Sequence, residues 1–361
     1  MACSPSPTRR SPAWWSSGAT GRSTTSTGTR TSRRSAPWLS GRTARGTSSR
    51  AGSCGACDGK LTEALRSAAE HDMTILAFSD GSEHASRMLP HAYALARGTG
   101  RPLTVVRVMN RLNDLSGIVA PSTDEAAAIL ANRWEAELRQ ELRMLGIQAA
   151  IAIEPQRPDE DTPAAICRIA AEHGAQAIAF GSHGAGLIRH LVIGSTALGV
   201  LARTNLPALV VGPHVGSAAA DLEGPYRLVI CSDGSPAAAR VADVLRPLLE
   251  GTTVAVTVLS LYEPRLGDRG PTEEKADLRA RLESLAAQLP PVGSVEIAVE
   301  DLEDLESVDH GILRAAAARR ANAIALATHG YSARRHLVSG STGVGLIQHG
   351  HIPTILVRST D

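Results

Sequence analysis

The sequence predicts two α/β domains in tandem, each a five-stranded, doubly wound parallel sheet, preceded by a basic low-complexity tail. Three observations lead there: a self-repeat with a period of about 150 residues, short apolar runs without alternation, and amphipathic stretches between those runs. The boundaries follow from composition. Residues 1–72 form the tail, 73–213 the first domain, 214–225 a linker with Gly216, Gly224 and Pro225, and 226–361 the second domain. A chain of 361 residues that is 43% hydrophobic is long enough for two cores.

The tail is the first element and the least structured. Residues 1–57 carry nine Arg and no acid, and three of the four tryptophans (Trp14, Trp15, Trp38) stand among Ser, Thr and Gly. Nothing recurs at a period of 2 or 3.6, so burial does not offset the entropy of ordering, and disorder is expected. Arg9-Arg10 lacks the apolar stretch of an export signal, and the segment lacks the amphipathic face of a transit peptide. A translation start placed too early, with Met73 the true one, accounts for such a tail. A basic arm touching nucleic acid is the functional alternative. Cys54-Gly-Ala-Cys57 has neither a second such pair nor paired histidines to complete a zinc site, and chance spacing explains it.

Beyond the tail, the first strand opens at Met73-Thr-Ile-Leu-Ala-Phe78, and further strands are expected near 103–109, 148–153, 176–181 and 207–212. They read as parallel strands covered on both faces. Between the second and third strands, Leu130, Trp134, Leu138 and Leu142 fall four apart on one helix face, with Glu135 and Arg139 as an i,i+4 pair elsewhere. Cys167 and Cys231 fall in apolar helix and strand patterns and read as small core residues. The second domain repeats the order. Ile75-Leu-Ala-Phe-Ser-Asp80-Gly81-Ser82 returns as Leu228-Val-Ile-Cys-Ser-Asp233-Gly234-Ser235, and Leu206-Pro207 returns as Ile352-Pro353. Doubly wound sheets bind ligands beyond the carboxyl ends of their strands, where Asp80, Asp233 and two Gly-rich loops fall.

Composition excludes several classes. No run reaches the roughly 18–20 apolar residues of a membrane helix. The net charge of +1 hides a body of 28 basic and 36 acidic residues after residue 57, which does not suit a nucleic-acid-binding surface. Lys60 and Lys275 are the only lysines, which argues against Schiff-base chemistry or a phosphate-binding lysine. Five scattered cysteines form no disulfide framework, and a reducing, cytoplasmic setting fits best.

The loops carry the chemistry. Gly181-Ser-His-Gly184, nine residues, then Gly194-Ser195-Thr196 places glycines at a strand end and a helix start. Small residues there let backbone N–H groups approach a phosphate, and a helix N-terminus favours negative charge. Ser195 either donates to a ligand or caps the helix. The second copy keeps the Gly-to-Gly spacing from Gly330 to Gly340, followed by Ser341 and Thr342. His183 and His329 between the glycines read as phosphate contacts or exposed loop residues, and Arg189 and Arg335 as phosphate partners or solvated cations. The acidic run from Glu300 to Glu306 reads as a solvated loop.

This pattern, G-2x-G-9x-G-S/T, with the strand-end Asp80-Gly81-Ser82 and Leu206-Pro207, resembles the ATP-binding universal stress proteins over about 73–213 and 226–361. The resemblance implies Rossmann-like (HUP/Usp) domains and ATP, with Mg²⁺ as its companion. It places Asp80 at the adenosine moiety, Val108 along the adenine slot, and Gly181, Gly184, Gly194, Ser195 and Thr196 at ribose and phosphates. In the second copy these roles fall to Asp233, Val258, Gly330, Gly340, Ser341 and Thr342. That copy has Ala327 where the first glycine belongs, and a methyl crowds the loop if the backbone needs positive φ or close ligand approach. The resemblance further implies a nucleotide-dependent stress-response regulator whose protein partner the sequence does not name. The last strands of the two copies are expected to meet within the chain as a pseudo-dimer, with room for a further homodimer. A slow ATPase or nucleotide-transferring enzyme, and a nucleotide-free interaction scaffold, are the alternatives. No paired base and metal carboxylates stand near the loop to favour the enzyme.

Overall fold

The computed structural model describes residues 74–182, 193–217, 224–263, 271–329 and 341–359. The expected tail disorder, Gly184, His183, Arg189, Gly330, Arg335 and Gly340 lie outside the described residues, as does the side chain of Ser341.

The first half runs β1 (Ile75–Phe78), α1 (Glu83–Thr99), β2 (Leu103–Met109), α2 (Arg111–Asp114), α3 (Thr123–Met144), β3 (Ala150–Pro155), α4 (Thr162–Glu172), β4 (Ala177–Gly181), α5 (Ser195–Leu201) and β5 (Ala208–Val211). The second half runs β6 (Arg227–Cys231), α6 (Pro236–Leu249), β7 (Ala255–Tyr262), α7 (Pro271–Ala286), β8 (Ser294–Asp301), α8 (Val308–Ala318), β9 (Ala323–His329), α9 (Ser341–His349) and β10 (Thr354–Ser359).

Helix starts are written in side-chain oxygens. Ser82, Ser122, Asp161 and Ser235 each accept a backbone N–H from the first turn of α1, α3, α4 and α6, satisfying donors that a helix leaves open. Leu130, Leu138 and Leu142 of α3 are buried as their spacing requires, Trp134 is half-buried, and Arg139 pairs with Glu135 on the outer side. Cys231 is buried and Cys167 half-buried, so the second is a border residue of the core.

The ten strands form one sheet in the order β3-β2-β1-β4-β5-β10-β9-β6-β7-β8. Every neighbouring pair is parallel except β5 and β10, which meet antiparallel with Thr354 opposite Val210 and Leu356 opposite Ala208. The last strands thus join the two halves about a local two-fold. Alternating strand residues feed two apolar layers. Ile75, Ala77 and Val105 face a layer with Leu89, Leu138, Leu245 and Leu282 from α1, α3, α6 and α7. Leu76, Phe78 and Val106 face the other, with Ile166, Val200, Ile312 and Leu346 from α4, α5, α8 and α9.

Other contacts tie the halves beyond the sheet. Arg358 Nη1 donates to the Ala202 carbonyl at 2.9 Å, and Arg101 Nη2 to the Pro247 carbonyl at 3.0 Å. A β-carbon at Gly98 of α1 would collide with the Tyr226 side chain that leads into β6. The linker is held at its start: buried His91 on α1 donates Nε2–H to the Gly216 carbonyl at 2.7 Å.

Candidate functional site

The order β3-β2-β1-β4-β5 reverses direction between β1 and β4, and a cleft opens there at the carboxyl ends of the strands. In the second half the equivalent point lies between β6 and β9.

Both clefts are edged by the same strand–turn–helix. After β1, Ser79 Oγ accepts the Gly81 N–H at 3.2 Å and Asp80 Oδ1 accepts the Ser82 N–H at 3.0 Å. After β6, Ser232 and Asp233 accept from Gly234 and Ser235 at 3.1 and 2.9 Å. Gly81 and Gly234 have φ of +78° and +76°, which an L side chain rarely adopts. The turn therefore fixes one oxygen of each aspartate and leaves the carboxylate exposed at the cleft edge.

The first cleft is a cavity of about 650 Å³. Six residues selected from sequence line it together: Asp80, Val108, Gly181, Gly194, Ser195 and Thr196. Val106, Val108, Ile166 and Phe180 give it an apolar side, and Asp80, Ser182, Ser195 and Thr196 a polar one. Gly181 ends β4, and the Gly194 N–H donates to the Ser182 carbonyl at 2.7 Å, closing the neck of the intervening loop. Gly194 takes the cap position of α5, so Ser195 is the first helical residue and does not cap; it and Thr196 are exposed.

Arg107, which sequence reasoning did not single out, adjoins the Asp80 turn without lining the cavity. Its guanidinium lies 3.9 Å from the Trp134 ring centroid and 3.6 Å from Glu137 Oε2. Burial pulls its pKa down while the Glu137 and Asp80 carboxylates oppose the shift, so it stays charged beneath the Asp80 turn. The one available signal was an arginine inside the apolar run Leu103–Met109.

The second cleft, about 510 Å³, is lined by Asp233, Ala327 and Thr342 among the expected residues. Strand register places Ser260 where the first half has Arg107, and a different cation serves this turn: Arg281 of α7, whose Cδ lies 3.0 Å from the β-carbon position of Gly234. Glu263 and Glu274 also line the cleft, and Tyr262 donates its hydroxyl to Glu274 at 2.7 Å, which raises the phenol pKa.

The profile of the Universal stress protein family matches residues 73–212 and 226–358. The chain belongs to the universal stress protein family. Each half is one such domain. A curated relative, a universal stress protein in the QAH/OAS sulfhydrylase 3′ region of Thermus aquaticus, is 32% identical over 139 residues, covering 38% of this chain and 97% of its own length. A solved universal stress protein from Archaeoglobus fulgidus DSM 4304 shares the fold at a TM-score of 0.52 and 21% identity, over 81% of this chain and all of its own. A putative universal stress protein from Pseudomonas aeruginosa UCBPP-PA14 superposes at a TM-score of 0.45 and 15% identity, over 79% of this chain and 92% of its own.

Two expectations for the second universal stress protein domain change. Val258 is fully buried in the layer with Leu245 and Leu282 and does not line the cleft. Phe78 pairs with Val106 and Cys231 with Leu259, so the register counterpart of Val108 is Leu261, which does line it. A shift of three residues is odd, and an odd shift moves a side chain to the opposite face. Ala327 also needs no special backbone: neither it nor Gly181 has positive φ, and its methyl packs with Ala323 and Ala325 against the layer on the other face. Among the described residues, no helix is long and apolar enough to cross a membrane.

Proposed function

We propose that this universal stress protein binds ATP in its first domain and acts as a nucleotide-dependent stress-response regulator. The observation that carries the reading is the convergence of Asp80, Val108, Gly181, Gly194, Ser195 and Thr196, from four separate segments, on one cavity of about 650 Å³. That volume lies within the roughly 300–1,000 Å³ usual for small-molecule sites. The apolar side formed by Val106, Val108 and Ile166 suits a flat base, and the Asp80 carboxylate can accept from ribose hydroxyls at the cleft edge. The Ser195 and Thr196 hydroxyls and the backbone beside Gly194 suit phosphate oxygens. Mg²⁺ would arrive with the triphosphate and keep several waters, as that ion commonly does.

A ligand shifts a conformational balance only by binding one state better than another. Contact between bound nucleotide and the segment joining Ser182 to Gly194 would give a protein partner a surface to read. The second domain, with Glu263 and Glu274 beside its cleft, offers a less favourable field to phosphates.

The test uses the full-length chain. Protein is denatured, released nucleotide is separated by ion exchange, and ATP with Mg²⁺ is titrated into nucleotide-free protein. Gly194→Glu places a carboxylate at the phosphates, and the extended φ of −63° at Gly194 accepts it. Binding lost in this variant supports the reading. Absence of ATP heat and of bound nucleotide in the parent protein overturns it in favour of an interaction scaffold. Turnover above background that Gly194→Glu abolishes would instead make the protein an ATPase.

A further inference from the structure

Asp309 and His310 stand in the first turn of α8, and His349 ends α9. Asp309 Oδ2 lies 3.0 Å from His349 Nδ1 and 3.8 Å from His310 Nδ1. The two imidazoles stack 5.4 Å apart and 15° from parallel. One donor atom from each of the three residues lies within 4.8 Å of the others. The Asp309 side chain is only 13% exposed, over a gap that glycine alone leaves, since a β-carbon at Gly345 would collide with its carboxylate.

The first domain shows what the fold needs at this helix pair. The halves align at constant offset here: Arg168–Glu160 corresponds to Arg314–Glu306, and Gly199 to Gly345. Pro163, Ala164 and Arg203 occupy the places of Asp309, His310 and His349. There the junction closes with Pro163 packed on Gly199 and Arg203 Nη2 donating to the capping Asp161 at 2.9 Å. None of the three positions needs a metal-ligating side chain for helix packing, yet the second domain has one at all three. The cap has changed in step. Ser307 makes no side-chain cap bond, and its hydroxyl instead lies 2.7 Å from His310 Nδ1.

We propose that Asp309, His310 and His349 form a binding site for a divalent transition-metal ion of the Zn²⁺ class. Two imidazoles and one carboxylate are an N/O donor set for zinc, whose remaining position water fills on this exposed side. The Ser307 hydroxyl now shares His310 Nδ1 and would yield that nitrogen to the metal. Bound metal would bridge α8 and α9, both of which contribute to the second cleft through Val308, Ile312 and Thr342.

The experiment uses the full-length chain carrying Cys3→Ser, Cys54→Ser and Cys57→Ser, which removes the tail thiolates as competitors. Metal-free protein is titrated with Zn²⁺ by calorimetry and with Co²⁺ by visible absorption. His310→Ala and His349→Arg install first-domain residues, and Arg at 349 can still pair with Asp309, so a purely structural clamp survives. One ion per chain, bound with cobalt bands of nitrogen and oxygen ligation and weakened more than about tenfold in each variant, is the expected result. No uptake, or uptake unchanged in the variants, overturns the site. If one variant loses its native circular dichroism, the other decides.

Discussion

The guanidinium of Arg107 occupies the space beside Gly81: a β-carbon there would lie 2.8 Å from Nη1. Glycine at this turn thus has two independent reasons, its φ of +78° and the closeness of the cation. Gly100 has a similar φ of +65° with nothing within 4 Å of its β-carbon position. Gly100→Ala is expected to cost about 1 kcal/mol and Gly81→Ala about 2–3 kcal/mol, the difference reporting the Arg107 contact. Urea unfolding of the two variants measures both; equal costs would show that Arg107 yields freely.

Thr354 is fully buried at the seam opposite Val210, and its hydroxyl has no hydrogen-bond partner among the described residues. Its counterpart in the first domain, Ala208, has no hydroxyl to satisfy. Thr354→Val keeps the branched shape and removes the unpaired group, so a gain of about 1 kcal/mol is expected by denaturant titration.

His91 couples stability to pH. Burial holds its pKa below the ordinary 6.5, with the Gly216 carbonyl opposing the shift. Between the lowered value and 6.5 the unfolded chain binds a proton that the folded chain does not. Its contribution is therefore whole above pH 6.5 and is lost as pH falls through that window. Chemical unfolding at a series of pH values should show the decline, and His91→Gln should flatten it.

Gly98→Ala inserts a methyl group against Tyr226 across the two domains, where there is no room. Overpacking of this kind costs about 1–3 kcal/mol, and the lowered midpoint should appear in a single cooperative transition. Two separate transitions would show that the domains unfold independently.

Much of this architecture could be read from residues alone. The strands are continuous apolar runs because helices cover both faces of the sheet, and the repeat fixed the order of the elements. The same continuity hid the register of β7. With Val256, Val258, Leu259 and Leu261 all apolar, nothing in the run Ala255–Tyr262 says which side meets the cleft, and Val258 faces the layer away from it. The third strand begins at Ala150, two residues later than expected, because Ala149 and Ala150 are equally suited to turn and strand; pairing of Ala150 with Thr104 decides. The aspartate turns and the first cleft were legible because Asp-Gly-Ser and the spaced glycines are local signals. Arg281, and the meeting of Asp309 and His310 with His349, were not: those contacts arise only when α7 packs across β7 and β8 and α9 beside α8.

The antiparallel joining of β5 and β10 has a last consequence. Were the halves separate copies, their pairing would depend on abundance; tethered in one chain, they meet at a fixed effective concentration and remain paired however scarce the protein becomes. A substitution in two identical partners is also imposed on both sides of their shared axis. Here it falls on one side alone. Pro163, Ala164 and Arg203 can keep one chemistry while Asp309, His310 and His349 acquire another, so covalent duplication relieved each half of resembling its mate.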